Sequence, residues 1–88
     1  MNRIQAILTI HTEQLPDNFQ EMIKHEQEHV AKWKEQGILV HFFLRQTRNG
    51  AVFIFKDVDE AQVKKMMETL PLYPLMKSIE YFALIQQY

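Results

Sequence analysis

The chain has 88 residues, 47% of them hydrophobic and 24% charged, with a formal net charge of -1 and no cysteine. This composition fits one small globular domain over residues 1–88, and it excludes disulfide staples, thiol chemistry and a basic nucleic-acid face. The apolar runs fall far short of a membrane span and the N-terminus lacks a signal-peptide core, so a cytoplasmic protein with neither membrane nor nucleic-acid partner is expected.

Residues 3–11 alternate, with Ile4, Ala6, Leu8 and Ile10 on one side, and predict a strand. Leu15-Pro16-Asp17 opens a helix, Pro16 suiting its first turn, which runs to about Gln36 with Gly37 as C-terminal cap. Phe19, Met22, Ile23, Val30 and Trp33 form the apolar stripe of that helix. Residues 38–47 and 51–56 predict two strands joined by Thr47-Arg48-Asn49-Gly50, whose Asn-Gly pair is a strong hairpin signal. Asp57 resembles an N-cap with Glu60 completing a capping box, and a second helix follows to about Thr69. Leu70-Pro71-Leu72-Tyr73-Pro74 is a stiff connector that presents Leu72 and Tyr73, because each proline fixes its own φ and restricts the residue before it. Residues 77–87 predict the last strand.

The order β-α-β-β-α-β predicts an α+β ferredoxin-like sandwich, a four-stranded antiparallel sheet with both helices on one face. The second strand adds a condition. Ile38, Val40, Phe42 and Leu44 alternate with Leu39, His41, Phe43 and Arg45, so both of its faces are substantially apolar. A monomeric sheet covered on one side should show a polar opposite face. Burying such side chains contributes roughly 1.5–3 kcal/mol each, which predicts a homodimer packed sheet against sheet.

Glu26 falls in the centre of the first helix's apolar stripe. Burial disfavours the charged carboxylate and raises its pKa, which suits a group that takes and returns a proton. The alternative is a head group that escapes to solvent or pairs with Arg45 or a lysine. His41, mid-strand, is either a donor to a substrate oxygen or a core histidine bonded to backbone. Arg45 is either a clamp for a substrate carboxylate or a strand-end ion-pair partner. Trp33 and Phe43 are aromatic candidates for the wall of a substrate cavity, with core packing as the simplest reading of Trp33. His25-Glu26-Gln27-Glu28-His29 matches the H-E-x-x-H zinc motif by residue type, but His25 turns toward solvent and no third ligand stands at useful spacing. No metal and no cofactor are expected. The chain has two glycines and contains no phosphate-binding loop or dinucleotide fingerprint.

Leu15-Pro16 after the first strand, Glu26 and Glu28, Gly37, His41, Phe55-x-Asp57-Val58 and Leu70-Pro71-Leu72-Tyr73-Pro74 together resemble the muconolactone isomerase family over nearly the whole chain. The resemblance implies a dimeric α/β barrel, assembled as dimers or larger rings of dimers. It implies a cofactor-free isomerase that moves a proton between carbons near a carbonyl in the breakdown of aromatic compounds. On that reading Glu26 is the base, His41 the donor at the carbonyl oxygen, Arg45 the cation for a free carboxylate, and Tyr73 part of the pocket wall. The family's arginine follows its histidine one residue sooner than Arg45 follows His41. A related barrel monooxygenase and a non-catalytic small-molecule binding or stress-related module remain as alternatives on the same fold.

Overall fold

Strand β1 (Asn2–Ile10), helix α1 (Phe19–Glu35), strands β2 (Leu39–Leu44) and β3 (Gly50–Phe55), helix α2 (Glu60–Glu68), a 3₁₀ turn (Tyr73–Leu75) and strand β4 (Met76–Ile85) follow one another in the computed structural model, which describes residues 2–88. The sheet is antiparallel with strand order β2-β3-β1-β4, the ferredoxin-like arrangement expected from the element order.

Register fixes the faces. Ile4 pairs with Phe55, Ala6 with Phe53 and Leu8 with Ala51, so the alternating apolar set of β1 and the matching set of β3 share the helix side. There they meet Val30 and Trp33 of α1 and Val63 and Met67 of α2, all buried. The Trp33 indole packs edge-on to Phe53 and Phe55, with 6.3 Å and 5.7 Å between ring centroids. Edge-to-face packing of this kind is a favoured geometry for buried aromatics. Trp33 is therefore packed in the core, the simplest reading of its place in the stripe.

The local chemistry of the turns departs from the sequence reading in three places. Pro16 does not open α1: the Phe19 N–H donates back to the Pro16 carbonyl at 3.0 Å, and Asn18 is the N-cap. The helix ends as expected at Gly37, with a positive φ of 78°. Its N–H donates to the Lys34 carbonyl and the Ile38 N–H to that of Trp33, both bonds of a Schellman motif. In the β2–β3 hairpin Asn49-Gly50 is not the central pair. Arg48 holds the left-handed conformation and Gly50 is already the first residue of β3. Gly50 is required by contact, because a Cβ there would collide with the Leu8 carbonyl oxygen. The cap of α2 is Asp59, not Asp57. The Gln62 N–H donates to the Asp59 carboxylate at 2.7 Å. The Asp59 N–H donates in turn to the Gln62 side chain, completing a capping box two residues later than expected.

Two bulges re-aim side chains. Leu39 pairs with Phe55 and His41 with Ile54, so Val40 is an extra residue in β2. Leu39 consequently joins Phe42 and Leu44 on the helix side, and simple alternation along 38–45 fails. Between Thr9–Ser78 and Ile10–Met76, Lys77 is the extra residue in β4. The expected second strand also stops early: β2 ends at Leu44, and Arg45 lies just beyond it.

Candidate functional site

Glu26 is the one charged residue of the buried set, 8% exposed among the described residues. Helical spacing puts it on the α1 face toward the sheet, between Met22 and Ile23 on one side and Val30 on the other. Its Oε1 accepts from the Leu72 N–H at 3.1 Å, tying α1 to the proline-bracketed connector. No fully buried side-chain polar atom lacks a partner among the described residues, so the carboxyl is held in place. Burial pushes its pKa up. The Leu72 N–H and the nearby His29 pull it partly back, since both favour the charged form. A carboxyl so placed gives up its proton nearer neutral pH than an exposed glutamate would.

The connector that holds Glu26 is more folded than proline bracketing suggests. Leu70 and Leu72 are buried, so of the two residues that the connector presents only Tyr73 is exposed. The Tyr73 N–H donates to the Leu70 carbonyl at 2.9 Å and the Leu75 N–H to that of Leu72 at 2.8 Å. Tyr73 enters a 3₁₀ turn despite preceding Pro74, and its ring stays 42% exposed at the rim of a cleft.

The other expected site residues lie elsewhere. His41 pairs with Ile54, which pairs with Gln5, and that register is the sheet face turned away from the helices. Its imidazole is exposed and stacks on Phe43, 5.9 Å between ring centroids. The Arg45 guanidinium reaches along the same outer side to donate to the Thr9 hydroxyl at 3.1 Å. The sheet thus separates Glu26 from His41, Phe43 and Arg45 within one chain, and the expected grouping of Glu26 with His41 and Arg45 in one cavity is corrected. Alternation from His41 to Leu44 is unbroken, so Phe42 and Leu44 take the helix side and His41 and Phe43 the other.

His25 and His29 also part company. The His29 ring nitrogen meets the His25 carbonyl at 3.0 Å, while His25 faces Glu28 at 3.6 Å on the exposed side of α1. No cluster of three potential metal ligands occurs among the described residues.

The cleft beside Tyr73 brings in residues the sequence reading missed. It holds about 540 Å³ and is lined by the second half of α2 and the start of β4, including Lys64, Glu68, Lys77 and Tyr81. Tyr81 could have been found, since it alternates with Ile79 and Ala83 on the helix side of β4. Lys77 could not, because its place depends on the bulge.

Residues 3–86 match the family described as muconolactone delta-isomerase. Among solved structures, a muconolactone isomerase superposes with a TM-score of 0.74 at 19% identity, covering 99% of this chain and 91% of that one. An antibiotic biosynthesis monooxygenase superposes at 0.65 with 18% identity, covering 98% of each chain. A 5-chloro-2-hydroxyhydroquinone dehydrochlorinase from Burkholderia phenoliruptrix, in complex with 2,5-dihydroxybenzoquinone, follows at 0.56 with 13% identity and 90% of each chain. At these identities the three structures are alike in fold. No curated protein sequence matches.

Proposed function

Because the chain belongs to the muconolactone delta-isomerase family, we propose that it is a cofactor-free isomerase that moves a proton on a lactone or similar small carboxylic acid, with Glu26 carrying the proton. The observation that carries this reading is a single buried carboxyl, held by one backbone N–H and raised in pKa, at the junction of α1 with the connector.

The chemistry follows from that placement. Oε1 is occupied by the Leu72 N–H, which leaves Oε2 to take a proton from a carbon next to the lactone carbonyl. The electron pair of the broken C–H bond moves into the carbonyl system as an enolate. Glu26, whose proton exchanges with solvent while the enolate lasts, then returns a proton to the same carbon or to one further along; in the second case the double bond shifts with no net change in atoms. A base of raised pKa is matched to this task, since it must both accept and release the proton. The group that steadies the enolate oxygen is not His41 of the same chain, which stands behind the sheet. Tyr73 follows Leu72, whose N–H holds Glu26, and its ring lines a separate cleft.

The outer sheet face completes the reading. Phe43, Phe82 and Leu84 are 55, 44 and 37% exposed, beside half-buried Ile7, Val52 and Ile54. Packing this face against a second copy forms a two-chain barrel, and His41 and Phe43 then belong to the subunit interface.

Deuterium entry from D₂O into a panel of lactones, muconolactone first, tests the assignment because it detects proton abstraction even when net turnover is slow. Exchange should occur in the wild type and fall by about 10²–10⁴-fold in Glu26→Gln. Exchange at the wild-type rate in that variant refutes Glu26 as the proton carrier.

A further inference from the structure

The cleft beside Tyr73 has no part in the proton transfer itself, and Glu26 does not line it. We propose that it binds a small organic anion, a carboxylate on a flat apolar body, with Lys64 and Lys77 meeting the charge and the Tyr73 and Tyr81 rings holding the body.

The size fits. A volume of about 540 Å³ exceeds what a single-ring acid needs, and it lies within the range of small-molecule sites. Two lysines and one carboxylate, Glu68, line the cleft, with Glu60 beside it paired to Lys64. Each lysine is aimed by something local. Lys64 Nζ sits 5.5 Å from the centre of the Tyr81 ring. Cation and aromatic wall are therefore already together. The Lys64–Glu60 ion pair is 3.4 Å long with both side chains about half exposed. Such a pair contributes little and can be exchanged for a ligand carboxylate. Lys77 reaches the cleft because the β4 bulge breaks alternation, and Met76 and Lys77 both line it. Burial first, then Tyr73, Glu68 and Glu60, push the Tyr81 pKa up.

The cleft is also joined to the proton carrier. Leu72 holds Glu26 and the next residue, Tyr73, walls the cleft, within a turn closed by two backbone hydrogen bonds. The inference does not rest on the isomerase reading, since the cleft lies apart from Glu26. Anion binding itself is measured separately.

The probe is benzoate, with benzamide as its uncharged counterpart, titrated by calorimetry and followed at the tyrosine ring carbons by NMR. Benzoate should shift the Tyr73 and Tyr81 resonances and bind more weakly as salt rises. Benzamide should bind about tenfold or more weaker, and Lys64→Gln with Lys77→Gln should weaken benzoate by a similar factor. Lys65→Gln, an exposed lysine outside the cleft, should leave binding unchanged. Absence of tyrosine shifts, or undiminished binding in the paired lysine variant with its circular dichroism intact, overturns the proposal. The two readings separate cleanly. Lysine-dependent benzoate binding with wild-type exchange in Glu26→Gln upholds the cleft and refutes the base. Glu26-dependent exchange without benzoate binding does the reverse.

Discussion

Replacing Glu26 by glutamine separates what the residue does for the fold from what it does for a reaction. Glutamine keeps an oxygen for the Leu72 N–H but has no basicity. A hydrogen bond to an ionised carboxylate is worth about 1.5–3 kcal/mol and one to a neutral acceptor about 0.5–1.5 kcal/mol, so the swap loses roughly 1 kcal/mol there. It also removes the desolvation of a buried charge, the largest influence on this carboxyl. The two effects oppose, and stability near neutral pH should change by no more than about 1 kcal/mol, or about 4–8 °C in melting temperature for a domain of this size. Alanine, by contrast, leaves the buried N–H without a partner and opens a void, at a cost of about 2 kcal/mol or more. The sign with pH is fixed. A carboxyl whose folded pKa lies above its unfolded value contributes stability that is fully present below the unfolded pKa and is lost as pH rises through the folded pKa. The glutamine variant lacks that loss, so it should gain on the wild type as pH rises above the ordinary glutamate range. The assay is urea unfolding of both proteins from acid to mildly alkaline pH, alongside deuterium exchange into the lactone. In the wild type, exchange should rise with pH as the carboxyl ionises. Glu26→Gln that unfolds as readily as Glu26→Ala, or whose stability relative to wild type ignores pH, would refute the reasoning about burial.

Gly50→Ala should destabilise by about 2–4 kcal/mol in urea unfolding, the scale of a severe steric substitution, since its Cβ meets the backbone of β1. Gly37→Ala should cost only about 1–2 kcal/mol, the penalty for a left-handed L-residue, because the space around it is open. Asp59→Ala should cost about 1 kcal/mol by loss of the capping box, and Asp57→Ala should not reproduce that loss. Light scattering at micromolar concentration should give a dimer. Phe43→Glu with Phe82→Glu on the exposed sheet face should give a folded monomer, and an unchanged mass in that variant would move the interface elsewhere.

The sequence by itself determined the element order and hence the ferredoxin-like sandwich. Period-2 alternation in β1 and the helical stripe of α1 are local consequences of burying one side of an element. For the same reason Glu26 was legible: a carboxylate at the centre of an apolar stripe must face the core wherever that helix docks. The hairpin, the α2 cap and the outer strand were read less well. Asn49-Gly50 and Asp57 carry strong local signals, yet Gly50 answers to the Leu8 carbonyl of another strand, and Asp57 adopts a left-handed turn that leaves the cap to Asp59. The grouping of Glu26 with His41 and Arg45 depended on which face of the sheet each side chain takes. One extra residue, Val40, moves Leu39 to the helix side, and another, Lys77, brings a cation to the cleft beside Tyr73. A bulge inverts alternation according to how two strands pair across the sheet. That pairing is set by contacts distant along the chain, so only the tertiary structure could decide it.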